Sequence, residues 1–130
     1  MCVNAQLWAS YANACFRFER AWLVNQYAII TAWNPRSVRL SNECNYIKNN
    51  ELSFDFGHKS RLKVMVGDAT FDWYEESYAV EMTLAEACDL GQKYHQNAIY
   101  FVDNGVLFLV QCDGKRQPQN LGLLSERVAD

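Results

Sequence analysis

Six polar or aromatic side chains are spaced so that they could form a small binding site. They follow or precede segments in which strands or helices are expected, and they are Asn34, Trp73, Glu75, Ser77, Gln96 and Asn97. Amide, hydroxyl and carboxyl groups that converge beside aromatic rings suit a small polar ligand or a flat base. The competing interpretation is structural, because such residues also close turns and satisfy helix ends.

Glu75 is the residue of this set that could do catalysis. A carboxyl group buried beside Trp73 would have a raised pKa and could act as a general acid or base. Ser77, Gln96 or Asn97 would then orient the substrate. The sequence leaves the burial of Glu75 open, so an enzyme is the alternative to a binding module.

Metal and cofactor sites are not predicted. Four carboxylates fall within nine residues, at Asp68, Asp72, Glu75 and Glu76, but their spacing matches no calcium loop. The five cysteines form no CxxC pair, and they are Cys2, Cys15, Cys44, Cys88 and Cys112. Phosphate-binding loops, dinucleotide fingerprints and zinc-protease motifs are absent from the sequence.

A basic cluster at Lys59, Arg61 and Lys63 is the candidate anion site. Alternation along a strand would place these side chains on one face, where they could meet a phosphate or single-stranded nucleic acid. Cations on an exposed strand more often prevent pairing with other strands. The 12 basic and 15 acidic residues and a pI near 5.3 make nucleic acid an improbable partner.

Length and composition favour one folded domain. The chain has 130 residues, of which 50% are hydrophobic and 21% charged, so it can bury a core. The apolar runs are too short to span a membrane, and the first residues do not resemble a signal peptide. We therefore expect a cytoplasmic protein without a membrane segment.

The first half of the chain predicts two helices and three strands. A helix is expected over 5–14, followed by strands over 15–19 and 26–33, the second ended by Asn34-Pro35. Ser41 is the expected N-cap of a second helix that turns Cys44, Ile47 and Leu52 inward. A third strand with alternating residues is expected to end at Gly67.

Local signals in the second half are stronger. A strand over 77–82 leads to Thr83 and Glu86, which have the spacing of a capping box at a helix start. Gly91 lies on the apolar face of that helix and would let it approach the sheet closely. Asn104-Gly105 joins two apolar strands and is typical of a type I′ hairpin.

These elements predict a single α+β domain over 1–112. Its sheet is largely antiparallel, with about five or six strands and two or three packed helices. Residues 113–130 are predicted to form a polar C-terminal tail, either docked or mobile.

Three ordered motifs resemble those of a bacterial domain family of unknown function, numbered 3293. They are a strand end, a tryptophan segment and a helix exit, which here read ITAWNP at 30–35, WYEES at 73–77 and GQKYHQNA at 91–98. The resemblance extends over residues 11–110 and carries over to the six candidate site residues and Pro35. It implies membership in a small domain family, without an established activity.

Taken together, the sequence favours a small cytoplasmic binding or interaction module. Its partner would be a small polar ligand or another protein. The alternative is an enzyme that acts on a small molecule or phosphate compound through Glu75. A weaker alternative is nucleic-acid contact through the basic strand.

Overall fold

Seven antiparallel strands form one curled sheet in the computed structural model, which describes residues 3–129. Cys2 lies outside the described residues. Their order across the sheet is β1-β3-β4-β2-β5-β6-β7. The strands are β1 (Cys15–Phe18), β2 (Gln26–Ile30), β3 (Arg61–Gly67), β4 (Tyr74–Val80), β5 (Ala98–Asp103), β6 (Val106–Gln111) and β7 (Gln119–Leu123). The helices are α1 (Ala5–Ala12), α2 (Asn42–Phe54) and α3 (Leu84–Lys93), with short 3-10 helices at Pro35–Ser37 and Leu124–Arg127.

The α+β class and the antiparallel sheet are confirmed, but the expected count of five or six strands is wrong. The additional strand, β7, pairs with β6 and lies in the segment that was expected to be a tail. It escapes prediction because it has almost no buried face, contains Gly122 at a φ of 87°, and pairs through a register shift.

Apolar clusters lie on both faces of the sheet. On the face called inner here, one cluster joins side chains from Phe16 in β1 to Leu124 after β7, with Ile29, Val64 and Leu107 between them, and a smaller one contains Val3, Trp8 and Leu109. The outer face is covered by α2 and α3. Its core includes Ala28, Ile30, Val80, Ile99 and Val110.

The strongest local predictions are confirmed. Asn104 and Gly105 have φ angles of 49° and 85°, and the hairpin joins β5 to β6 as expected. The capping box at Thr83 and Glu86 starts α3. A Cβ atom on Gly91 would collide with Sγ of Cys112, which shows how closely α3 approaches the sheet.

Helix α2 begins after Ser41 as predicted, but its buried face differs from the expected one. Cys44 is exposed and Ile47 is 60% exposed, whereas Leu52 is buried as expected. Asn45 and Asn49 are buried instead. The predicted inward positions of Cys44 and Ile47 are therefore wrong, because this helix packs through hydrogen bonds as well as apolar contacts.

Those hydrogen bonds also explain why β2 ends at Ile30, three residues before the predicted end. The backbone N–H of Ala32 donates to Oδ1 of Asn49 at 2.7 Å, and Nδ2 of Asn49 donates to the carbonyl oxygen of Glu76 at 2.7 Å. A side chain of α2 thus replaces the neighbouring strand as the hydrogen-bond partner.

The C-terminal segment anchors α1 and closes the sheet. Arg127 donates to the carbonyl oxygen of Ala12 at 2.6 Å, and Nε1 of Trp8 donates to Oε1 of Gln119 at 2.7 Å. Val128 forms a parallel bridge with Phe16, the central inward residue of β1. Gln119, Arg127 and Val128 therefore tie the C-terminal segment to the first part of the chain.

Among residues 3–129, no helix has the length and apolar character needed to cross a membrane.

Candidate functional site

A cavity of about 680 Å³ opens at one end of the inner face of the sheet. It lies where β2 and β3 end and where β4 and β5 begin, and α1 contributes one wall through Leu7 and Tyr11. The six predicted site residues all line it: Asn34, Trp73, Glu75, Ser77, Gln96 and Asn97. The structure thus brings together side chains that are more than sixty positions apart in the sequence.

Antiparallel pairing explains this convergence. Glu75 in β4 lies opposite Val66 near the end of β3, and Ile29 near the end of β2 lies opposite Tyr100 near the start of β5. Because successive side chains alternate between the faces of a strand, Glu75 and Ser77 share the inner face. The ends of four adjacent strands therefore present their side chains to one space.

The carboxyl group of Glu75 has one hydrogen bond to the protein. Nδ2 of Asn34 donates to its Oε2 at 2.9 Å. Within residues 3–129, neither a salt bridge nor a second hydrogen bond satisfies Oε1. Burial raises the pKa of Glu75 to about 7, although the hydrogen bond from Asn34 acts in the opposite direction.

Asn34 is fixed in the orientation that presents its amide nitrogen to Glu75. Its Oδ1 accepts from the backbone N–H of Leu40 at 2.9 Å and from Nδ2 of Asn45 at 3.0 Å. Its own backbone N–H donates to Oδ1 of Asn45 at 2.9 Å. Asn34 thus has two roles. It holds the turn before proline, as expected, and it also lines the cavity.

Asn45 and Asn49 were missed as residues that position the site. Together with Ser41 they form a polar stripe with helical i, i+4 spacing, and this spacing is visible in the sequence. Apolar periodicity does not reveal such a stripe. Its partners are backbone and side-chain groups of a distant loop, which the sequence does not reveal.

Gln96 and Asn97 lie between α3 and β5, and their side chains form hydrogen bonds to α1 and to the segment after β2. Nε2 of Gln96 donates to the carbonyl oxygen of Trp33 at 3.0 Å. Nδ2 of Asn97 donates to the hydroxyl oxygen of Tyr11 at 3.0 Å, and that hydroxyl lies 2.6 Å from Oγ of Ser37. These contacts hold α1 and the segment after Asn34 against β5.

Ser77 and Trp73 differ in their access to solvent. Ser77 is 3% exposed, and its hydroxyl donates to the carbonyl oxygen of Glu75 at 3.4 Å. Trp73 is 54% exposed and lies at the rim. Its loop lies very close to the end of β3. A Cβ atom at Gly67 would collide with the carbonyl oxygen of Trp73, so only glycine fits there.

Unfavourable backbone conformations are concentrated in the segments around the cavity. Of the described non-glycine residues with positive φ, Asn104 belongs to the hairpin, and the others are Asn34, Arg36, Ser37, Phe71 and His95. These five lie in the loops that supply lining residues. Left-handed conformations of non-glycine residues cost about 1–3 kcal/mol each and are frequent at functional sites.

The basic cluster does not belong to this cavity. Lys59 forms a 3.0 Å ion pair with Glu86, and Arg61 donates to the carbonyl oxygen of Ser53 at 2.7 Å, at the end of α2. Lys63 lines a separate pocket of about 410 Å³ beside Glu76. Strand β3 lies inside the sheet, between β1 and β4, so it is not an edge strand as the sequence interpretation assumed.

Metal-ligating side chains are not clustered in the part of the chain that the structure describes. There, no three histidine, cysteine, aspartate or glutamate residues are grouped as a metal site requires.

The segment that supplies the six cavity residues also identifies the domain family. The chain belongs to the family described as protein of unknown function (DUF3293), which it matches over residues 30–99, just over half of its length. The family resemblance seen in the three sequence motifs is thereby confirmed, and all six cavity residues fall within the matched range. No curated protein and no solved structure matches the chain.

Proposed function

We propose that this protein is a small binding module that holds a small polar ligand in the cavity around Glu75. The observation that carries the proposal is the convergence of six chemically suitable side chains on one cavity whose carboxyl group keeps a free oxygen. A volume of about 680 Å³ is in the range of sites for small molecules and cofactors.

Two features support binding over a purely structural role. A desolvated carboxyl group lowers stability at neutral pH, and an apolar side chain would avoid this cost. The strained residues around the cavity add a further cost. A ligand that pairs with Glu75 would offset part of both costs.

A blocking variant tests the proposal. Ala69 is exposed and lines the cavity from the loop before Trp73, so Ala69→Trp should fill the cavity without disturbing the core. Thr70→Trp is the matched control, because Thr70 is also exposed but does not line the cavity. Thermal unfolding is measured with a set of nucleosides, sugars, amino acids and amines.

A ligand of the cavity should raise the melting temperature of the wild type and of Thr70→Trp, but not that of Ala69→Trp. An equal response in both variants would show that the compound binds elsewhere. If no compound raises the melting temperature of the wild type, the proposal is wrong and the six residues serve the scaffold.

Catalysis by Glu75 is the second candidate. Its support is the pKa of about 7, since a carboxyl group near neutrality can both take and give a proton. Glu75→Gln should then abolish turnover of a bound compound while the compound still binds. Unchanged turnover would remove Glu75 as the acid or base.

A cytoplasmic location is part of the proposal. The described cysteines are free thiols, which is typical of a reducing compartment, and they are Cys15, Cys44, Cys88 and Cys112.

A further inference from the structure

Among the half-buried amide and carboxyl side chains that line the cavity within residues 3–129, the atoms left without a hydrogen-bond partner are oxygens. The amide nitrogens of Asn34 and Gln96 already donate to Oε2 of Glu75 and to the carbonyl oxygen of Trp33. Both orientations are fixed. The carbonyl oxygen of Trp33 can only accept, and the backbone N–H of Leu40, which binds Oδ1 of Asn34, can only donate.

Three acceptor oxygens are consequently available. Within residues 3–129, Oε1 of Glu75, Oε1 of Gln96 and Oδ1 of Asn97 have no hydrogen-bond partner, and all three side chains line the cavity. A ligand that offers N–H groups would satisfy them. A ligand that offers only acceptor atoms would face their lone pairs and be repelled.

The distribution of charge favours a cation. Besides Glu75, the charged side chains of the lining are Asp68 and Arg39, so carboxylates outnumber the single guanidinium. Arg39 and Asp68 are both exposed, and solvent screens charges of this kind. Glu75 is less exposed, and the burial that raises its pKa would strengthen its attraction for a cation.

The remainder of the wall is apolar. Ile29 and Val66 line the cavity from β2 and β3, and Ala98 and Tyr100 line it from β5. The cavity therefore combines acceptor oxygens with an apolar surface that would cover the body of a ligand.

We infer that the ligand is a small organic base, with an ammonium, amidinium or guanidinium group bound to Oε1 of Glu75 and an apolar body against Ile29 and Val66. This inference rests on the proposed binding function and specifies its ligand class. Oε1 of Gln96 is a further acceptor in the same cavity for the N–H groups of the base.

Binding of a base should depend on pH through Glu75. A cation prefers the ionised carboxylate, so with a pKa of about 7 its apparent affinity rises about tenfold between pH 6 and pH 8. The other titratable or charged groups that face this space are Tyr11 from α1, Tyr100 from β5, Asp68 and Arg39. Burial raises the pKa of Tyr100, so its hydroxyl stays protonated over this range.

Matched pairs of compounds test the inference by isothermal titration calorimetry. Benzamidine is compared with benzamide, phenylguanidine with phenylurea, and benzylamine with benzyl alcohol, at pH 6 and pH 8. The proteins are the wild type, Glu75→Gln and Glu81→Gln, where Glu81 is an exposed carboxylate just after β4. Circular dichroism verifies that each variant is folded.

At least one cation should bind the wild type and Glu81→Gln at least tenfold more tightly than its uncharged counterpart at pH 8. In Glu75→Gln this preference should fall to about threefold or less. The inference is overturned if the uncharged compounds bind as well as the cations, if the preference survives in Glu75→Gln, or if no cation binds.

The blocking variant Ala69→Trp, titrated with the same compounds, separates the ligand class from the proposed function. If an uncharged compound binds and Ala69→Trp blocks it, the cavity is a binding site and only the organic base is wrong. If a cation binds the wild type and Ala69→Trp equally, both the base in the cavity and the evidence for the cavity itself are refuted.

Discussion

Replacement of Glu75 by glutamine should stabilise the protein at alkaline pH and have little effect at acidic pH. The variant keeps an oxygen that can accept from Nδ2 of Asn34 but carries no charge. The folded state holds the proton of Glu75 up to a pH of about 7, whereas a glutamate in the unfolded chain releases its proton near 4.5. Ionisation of the native carboxyl group therefore works against folding.

The size of the effect follows from this difference in pKa. Between these pH values the folded state binds more protons than the unfolded state, so the free energy of unfolding falls as pH rises. The full difference corresponds to about 3 kcal/mol, and screening by solvent in the open cavity reduces it toward about 2 kcal/mol. We expect this loss of free energy of unfolding to be complete by pH 8 and absent below pH 4.5.

Urea denaturation at pH 5, 6, 7 and 8 measures this difference. Glu75→Gln should gain stability over the wild type steadily along this series, reaching about 2–3 kcal/mol at pH 8. Glu81→Gln is the control, since its exposed side chain should give a nearly constant difference. A difference between Glu75→Gln and the wild type that does not change from pH 5 to pH 8 would refute the desolvation of Glu75.

Substitutions at three further positions, with two companion variants, test the fold by urea denaturation. Asn49→Ala should cost about 2–3 kcal/mol, because it leaves the buried N–H of Ala32 without a partner and removes one of the two side-chain donors to the carbonyl oxygen of Glu76, while Asn50→Ala on the exposed side should stay within about 0.5 kcal/mol. Gly91→Ala should cost about 1–3 kcal/mol through overpacking against Cys112, and Cys112→Ala in the same chain should recover part of that loss. Gly105→Ala should cost about 1 kcal/mol from its positive φ alone, since nothing lies within 4 Å of the added methyl group.

Each of these expectations has an outcome that contradicts it. Equal effects of Asn49→Ala and Asn50→Ala would show that the buried hydrogen bonds of α2 contribute little. Additive effects of Gly91→Ala and Cys112→Ala would show that the two side chains do not compete for one space. A neutral Gly105→Ala would show that the hairpin tolerates a different turn.

Sequence reasoning succeeded where the signal and its cause are local. The hairpin at Asn104-Gly105 and the capping box at Thr83 depend on backbone groups within a few residues, so residue type and spacing are sufficient. The convergence around Glu75 depends in addition on the strand order β3-β4-β2-β5, which the sequence does not give. Once that order is known, residues at the ends and starts of neighbouring antiparallel strands must meet at one end of the sheet.

Sequence reasoning failed where the hydrogen-bond or packing partner of a residue is distant in the chain. Asn45 and Asn49 resemble poor helix formers until the loop after β2 supplies their hydrogen-bond partners. Strand β7 has only a two-residue alternation, Leu121 and Leu123, neither of which is buried, and it pairs with the edge of β6. The desolvation of Glu75 depends on how distant elements pack around it, and no local pattern predicts that packing.

The way α1 is held has a consequence for the order of folding. The contacts of Trp8 with Gln119, Ala12 with Arg127 and Phe16 with Val128 each span more than a hundred positions. A chain emerging from the ribosome can pair β5 with β6 before residues 119–128 have been synthesised, and its N-terminal segment lacks these three contacts until then. The wall of the cavity is thus completed late, and a nascent chain should acquire full affinity for a ligand only once residues 119–128 can fold.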